Sequence, residues 1–347
     1  MSLSSKKFTS KYSCIGALCV ILLSTVLPAQ ANAEPAHCKY AKIATIPVTF
    51  ERLQPAIEGT VNNTPTTMLI DTGAANTVLA KSLVEKLGIK LSHSDNFSVG
   101  LNGRSEQFDV RVKEISYGPV HWGATDLPVV WDTVATLSQG VIVGANFLFQ
   151  RDLEILLAEK KMNLFFPTGC ADAFLGYWDQ NASSIPLGEM SPGDPRRIVT
   201  VEVNGQKFRA LIDTGATTTV INLAAAARVG VTAKSPGVTK ISMGGIGQHE
   251  VESWVATFDS FTIGDESIKN SRIAVTDLWG SLQKDVNYMS TGKWINEQPE
   301  MILGTDFLKA HRVLFAVSQN RLYFSYLGGE VFYTGAKMVP VEKPVEK

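Results

Sequence analysis

The sequence predicts a mainly β protein made of two similar lobes related by a pseudo-twofold axis, each lobe carrying short helices. Three observations carry that expectation. Short runs of β-branched and aromatic residues alternate with turn signals through most of the 347 residues. The chain also repeats itself: Leu69-Ile70-Asp71-Thr72-Gly73 returns 142 residues later as Leu211-Ile212-Asp213-Thr214-Gly215. A second echo follows in each copy, where Ile142-Val143-Gly144-Ala145-Asn146-Phe147-Leu148 answers Ile302-Leu303-Gly304-Thr305-Asp306-Phe307-Leu308.

Taken in order, residues 1–33 read as a secretory signal peptide. Lys6, Lys7 and Lys11 make a positive start, Ile15 to Leu27 is an apolar run, and Ala31-Asn32-Ala33 offers small residues for cleavage before Glu34. A membrane anchor is the competing reading, but this run is shorter than the roughly 20 residues that span a bilayer. The expected product is an exported protein, periplasmic or secreted, with no stable membrane span once the signal is removed.

Residues 34–166 form the expected N-terminal lobe. Its copy begins near Ile46-Pro47-Val48, and the corresponding Ile185-Pro186-Leu187 opens the second copy. After each Asp-Thr-Gly comes a helical patch, Ala80 to Gly88 and Asn222 to Gly230, ending at a glycine suited to a C-cap. A second helix is expected at the later motif, with Asn146 or Asp306 as its start. Residues 167–181 match nothing in the repeat and read as a connector that packs onto a lobe through Phe174, Tyr177 and Trp178. In the C-terminal lobe, residues 182–336, Ile198 to Asp213 reads as a hairpin turning at Asn204-Gly205, and Arg312 to Tyr326 as another turning at Ser318-Gln319-Asn320. Residues 337–347 have little to bury and read as a flexible tail.

Composition narrows the function classes. Thirty-two basic against 33 acidic residues leave a net charge of −1, so no strong field points to nucleic acid or an anionic membrane surface. His37, His93, His121, His249 and His311 show no ligand spacing, and no CxxC or HExxH occurs, so neither metal nor other cofactor is expected. Of four cysteines, Cys14 and Cys19 leave with the signal. Cys38 and Cys170 remain, an even pair that in an oxidising compartment suggests a disulfide, with two buried thiols as the other reading.

The repeated Asp-Thr-Gly suggests a chemistry. A carboxylate at the end of an apolar strand, held in a turn by a small hydroxyl residue and a glycine, sits where backbone can crowd close to it. Two such carboxylates about 3 Å apart cannot both ionise, so they share a proton. The ionised member can take a proton from water while the protonated member polarises a carbonyl, which is general acid/base hydrolysis without metal or covalent intermediate. A single Asp-Thr-Gly is usually only a turn. Two in register within a repeat are harder to dismiss, although the aspartates could still serve their own turns alone.

Leu69 to Leu79 and Leu211 to Ile221 resemble the active-site stretch of retropepsins, within the wider pepsin-like group of aspartic proteases. Ile241 to Val251, "ISMGGIGQHEV", is similar to the glycine-rich flap of that family, and Ser98 to Ser105, "SVGLNGRS", is a looser counterpart. The resemblance runs from about Ile43 to Phe324. It implies two retropepsin-like β-barrel lobes with the site between them, and Asp71 and Asp213 as paired catalytic aspartates. It further implies that Thr72 and Thr214 lock the turns together, while Gly73 and Gly215 let substrate backbone pass. Met243, Gly244, Gly245, Ile246 and Gly247 would make one flap, with Gly100 and Gly103 in the other. Retropepsins are usually homodimers of one lobe, whereas one copy of this chain carries two. The implied partner is a peptide or protein substrate and the implied activity an aspartic endopeptidase. The alternatives are a catalytically silent peptide-binding module of the same fold and a narrow processing protease for one partner protein.

Two further expectations rest on the resemblance. Cys38 and Cys170 flank the first lobe where such chains bring their terminal strands into an interlobe sheet, which implies a disulfide there. Ala74 and Ala216 stand where digestive pepsins have Ser or Thr, removing one hydrogen bond that would favour ionisation, so the optimum is expected at weakly acidic to near-neutral pH. The segment from Trp279 to Glu300, with Trp294, has no clear counterpart in the first half and reads as a substrate-binding elaboration or a lid over the site, or equally as a packed surface loop.

Overall fold

Three sheets organise the chain in the computed structural model, which describes residues 37–51, 53–100, 103–131, 140–243, 251–280 and 298–332. The segments read as a signal peptide and a flexible tail lie outside these residues, as does most of the Trp279 to Glu300 segment.

Each lobe has its own sheet, and the duplication is visible strand by strand. In the first lobe Thr64–Ile70 runs parallel to Val141–Val143, with Ile70 opposite Val143. In the second, Gln206–Ile212 runs parallel to Met301–Leu303, with Ile212 opposite Leu303. The strand after each Asp-Thr-Gly turn, Val78–Ala80 or Val220–Asn222, pairs antiparallel with that same short strand. It also pairs parallel with a longer one, Thr125–Val130 or Glu266–Thr276. The apolar runs are explained by this wrapping: Met68, Leu69 and Ile70, like Ala210, Leu211 and Ile212, are almost wholly buried.

The third sheet belongs to both lobes. Its six strands lie in the order Lys39–Pro47, Lys161–Thr168, Asp152–Leu156, His311–Ala316, Arg321–Tyr326 and Ser183–Pro186, three from each copy, all neighbours antiparallel. Asp152–Leu156 is buried at every position, so its two acids need partners. Glu154 accepts from Arg312 Nε at 2.7 Å and from the Tyr177 hydroxyl at 2.9 Å. Asp152 accepts from the amide of Ser318 at 2.9 Å and its hydroxyl at 2.8 Å, and burial still raises its carboxyl.

The last strand of the first lobe runs through Pro167 and Thr168, two residues into the segment read as the connector. Of the three aromatic residues expected to pack, Phe174 and Tyr177 remain about half exposed. Leu175 is buried, Trp178 Nε1 donates to Ser325 Oγ at 3.0 Å, and the Arg312 guanidinium lies 4.5 Å from the Trp178 ring centre. A disulfide joins Cys38 to Cys170 across 132 residues, tying the first strand of the sheet to this segment.

The helices are short: Lys81–Lys86, Leu223–Arg228, Ala145–Leu148 and Thr305–Leu308. Gly88 and Gly230 follow the first two with φ of +64° and +78°, as expected for chain reversal at a helix end. Asn204 and Gly205, with φ of 48° and 77°, form the expected tight hairpin turn. The later helices depart from the expectation. Their N-caps are Gly144 and Gly304, and Asn146 and Asp306 sit inside the first turn. Their side chains reach back to the loop that follows each Asp-Thr-Gly: Asn146 Oδ1 accepts from the Thr77 amide at 2.8 Å, and Asp306 Oδ1 from the Thr219 amide at 2.9 Å. Sequence spacing places such residues near a helix start but cannot show that a loop 69 or 87 residues away competes for the oxygen.

Candidate active site

The two Asp-Thr-Gly turns meet where the lobes join. Each is suspended from the short central strand of its own lobe: the amide of Asp71 donates to Val143 O at 3.0 Å, and that of Asp213 to Leu303 O at 2.9 Å. A side chain at Gly144 would strike the backbone carbonyl of Asn76 at 2.5 Å, so this position admits only glycine if strand and turn are to touch.

Thr72 and Thr214 interlock the turns. The Thr72 hydroxyl donates to Ile212 O at 2.7 Å and accepts from the Thr214 amide at 3.0 Å. The Thr214 hydroxyl donates to Ile70 O at 2.6 Å and accepts from the Thr72 amide at 3.0 Å. Both side chains are fully buried, so these four bonds form without competition from water.

Gly73 and Gly215 serve a role that the resemblance did not assign. A Cβ on Gly73 would lie within 2.6 Å of both carboxylate oxygens of Asp213, and one on Gly215 equally close to both of Asp71. Each glycine is therefore the floor under the opposite lobe's carboxylate.

The two carboxyls act on each other's proton affinity, Asp213 raising that of Asp71 and Asp71 opposing the rise in Asp213. Asp71 Oδ1 also accepts from the amides of Gly73 and Ala74, both at 2.9 Å, and Asp213 Oδ1 from Gly215 at 2.7 Å and Ala216 at 3.1 Å. The alanines thus contribute backbone donors although their side chains contribute none. Both residues keep part of their surface open. Burial raises Asp71 well above the usual carboxylate range, and the neighbouring Asp213 charge raises it further. Asp213 is raised by burial, opposed by its hydrogen bonds to Asp71 and to the two amides and by the charge of Arg196. Burial thus pushes both carboxyls toward the protonated form while the backbone amides favour the charged one.

Of the expected flap residues, Gly100 and Gly103 face each other at the ends of the strands Ser92–Gly100 and Gly103–Val112. Met243 ends Thr239–Met243 opposite Val251, while Gly244, Gly245, Ile246 and Gly247 lie outside the described residues. Among the described residues no three His, Cys, Asp or Glu side chains gather as a metal site would require, and no helix is long and apolar enough to cross a membrane.

Sequence reading missed Gln54, whose Nε2 crosses between lobes to donate to Gly215 O at 2.7 Å, and Arg196, whose charge reaches Asp213. Arg196 follows Gln54 by the same 142 residues that separate the aspartates, but the two residues differ, so the repeat marks neither.

An aspartyl protease family model matches residues 57–147 and 199–307, once in each lobe. Among solved structures, an aspartic proteinase from Irpex lacteus aligns over 84% of this chain and 98% of its own, at 16% identity and a TM-score of 0.46. No curated protein matches the chain in sequence. With both lobes matched, over more than half of its length, the chain belongs to the aspartyl protease family, of the retropepsin and pepsin type.

Proposed function

We propose that the protein is an aspartic endopeptidase that hydrolyses peptide bonds in extended polypeptide segments, with Asp71 and Asp213 as its paired acids. The observation that carries this reading is the seating of each carboxyl against the opposite turn's glycine, with burial pushing both toward the protonated form. A water bound between them gives a proton to the ionised carboxylate as its oxygen attacks the scissile carbonyl carbon. The protonated carboxyl delivers its proton to the carbonyl oxygen, forming a gem-diol. The carboxyl that took the water proton passes it to the amide nitrogen, the C–N bond breaks as a gem-diol hydroxyl returns its proton to the other carboxylate, and the pair is again singly protonated.

The hairpins ending at Gly100 and Gly103 and at Met243 and Val251 support a reading in which flaps cover an extended substrate. Gly244, Gly245, Ile246 and Gly247 would complete the second flap. Both aspartates come from one chain, which suits activity without a second copy. The Cys38–Cys170 disulfide suits an exported protein, with residues 34–166 and 182–336 as its lobes.

The test is cleavage of an unfolded proteome-derived peptide mixture by the protein from Glu34 onward, read by mass spectrometry from pH 3 to 8 beside Asp71→Asn and Asp213→Asn. New termini that vanish in each variant support the reading. Termini that persist in either variant refute the pairing. Peptide binding that survives both changes, in a protein that never cleaves, would assign a silent binding module, and cleavage of one protein alone a dedicated processing enzyme.

A further inference from the structure

Gln54 belongs to a hairpin of the first lobe that reaches the second. Thr49–Glu51 pairs antiparallel with Gln54–Val61, with Glu51 opposite Gln54 and Thr49 opposite Ala56. Along its other edge Gln54–Val61 pairs with Thr64–Ile70, the strand that runs into Asp71, with Ala56 opposite Leu69. The backbone at Gln54 is therefore set by the strand that also sets Asp71.

Two side chains of this hairpin cross to the second lobe. Gln54 Nε2 donates to Gly215 O at 2.7 Å, and the Phe50 ring centre lies 4.8 Å from Lys309 Nζ, at the end of the helix Thr305–Leu308. The amide of Thr305 in turn donates to Ala216 O at 2.8 Å. Successive carbonyls of the Asp213 turn are thus held from opposite lobes, Gly215 O by Gln54 and Ala216 O by Thr305.

The Gly215 carbonyl and the Ala216 amide are the two ends of one peptide group and point in opposite directions. Gln54 donates to the first end, while the second donates to Asp213 Oδ1 at 3.1 Å. A bond to a peptide carbonyl polarises the N–H across the plane, strengthening the far bond by roughly 10–30%. The same bond fixes the plane. Glycine opposes rotation of the peptide that follows it less than other residues do, so the carbonyl of Gly215 is the place where an outside donor has most to hold. The Ala216 bond is also the longer of the two amide bonds to Asp213 Oδ1, the Gly215 amide lying at 2.7 Å.

We propose that Gln54 is a positioning residue for the acid of the opposite lobe: by holding Gly215 O it aims and polarises the Ala216 amide at Asp213 Oδ1, tying the orientation of that carboxyl to the strand that carries Asp71. The proposal rests on the peptidase reading and deepens it, because two acids that pass protons to and from one water and one substrate must keep a fixed relation. Gln54 itself neither gives nor takes a proton.

The test is NMR of the protein from Glu34 onward, carrying carbonyl-labelled glycine and nitrogen-labelled alanine. This labelling selects Gly-Ala peptides, Gly73–Ala74 and Gly215–Ala216 among them, and Ala74→Ser and Ala216→Ser assign the two signals. In Gln54→Leu the Gly215 carbonyl carbon and the Ala216 amide proton should both move upfield, as weakened hydrogen bonds require, while Gly73–Ala74 stays in place. Gln54→Glu keeps the size and shape, but its ionised carboxylate cannot donate. It should match Gln54→Leu at neutral pH and return toward the wild type, compared at equal pH, below the usual glutamate value of about 4. On a cleaved peptide, Gln54→Leu should lower kcat roughly 3- to 10-fold, the effect of one ordinary hydrogen bond, with KM within about twofold.

Unmoved Gly215–Ala216 signals in Gln54→Leu, equal movement of both Gly-Ala peptides, or a Gln54→Glu protein that stays like Gln54→Leu at low pH would each overturn the proposal. So would a change confined to KM. Should Gln54→Leu fail to fold, the pH dependence of the Gln54→Glu signals decides. Because the spectra need no turnover, a protein that cleaves nothing would sink the peptidase reading while the hold of Gln54 on the turn would still be measured.

Discussion

Replacing Thr72 with Val exchanges a hydroxyl for a methyl of nearly the same volume, so almost the whole effect comes from hydrogen bonding. The change strands two buried groups. Ile212 O loses a donor at 2.7 Å and the Thr214 amide loses an acceptor at 3.0 Å, in a place where Thr72 has no exposed surface and water cannot substitute. Each stranded group costs about 1–3 kcal/mol, so Thr72→Val should lose about 2–6 kcal/mol, a large share of a typical total of about 5–15. Thr72→Ser retains the hydroxyl and should lose less than about 1.5 kcal/mol, mainly through the missing methyl. Urea unfolding followed by tryptophan fluorescence measures both, with Thr214→Val as the symmetric control, since its hydroxyl bonds Ile70 O and the Thr72 amide. A loss below about 1 kcal/mol in Thr72→Val, or equal losses for Val and Ser, would refute the idea that these bonds hold the turns together.

Other consequences can be measured independently. Asp71 is raised in the folded state, so its contribution to stability is full below the unfolded carboxylate value near 4 and is lost as pH rises through the folded value. Asp71→Asn carries no such penalty, so it should be more stable than the wild type near pH 7, and the advantage should fade below about pH 4; an equal difference at both pH values in thermal melts would contradict this. Gly215→Ala pushes a methyl against the Asp71 carboxyl and should cut kcat by at least about 100-fold, whereas turnover within about twofold of wild type would show that the glycine is not the floor of the pair. The Cys38→Ser, Cys170→Ser double variant releases a crosslink spanning 132 residues. Chain entropy sets its cost at up to about 5 kcal/mol, and an unchanged urea midpoint would exclude a stabilising role.

Much of the fold was legible because the duplication writes the same local physics twice. An apolar strand ending in Asp-Thr-Gly, a short helix closed by glycine and the later Gly-x-Asn/Asp-Phe-Leu are each encoded within a few residues. The interlobe sheet was less legible. Its central pairing sets Leu153 beside Phe315, and no local periodicity records which distant strand covers Asp152 and Glu154. Two acids in a fully buried strand look like a surface element until Arg312, Tyr177 and Ser318 supply their partners. Asn146 and Asp306 resemble ordinary helix starts for the same reason, their oxygens being claimed by Thr77 and Thr219 from another part of the chain. At the candidate site, comparing both copies residue by residue draws attention to Asp71 and Asp213 because they are the same. The same comparison passes over Gln54 and Arg196 because they differ.

Whether two carboxyls sharing one proton perform the hydrolysis is read from the pH dependence of kcat/KM from pH 2 to 9 on a single cleaved peptide. The expected profile is a bell: activity rises as one proton leaves the pair and falls as the second leaves, with both limbs absent in Asp71→Asn and Asp213→Asn because neither variant turns over. A rate that climbs to a plateau and stays there through pH 9, or a bell that survives either substitution, would contradict it.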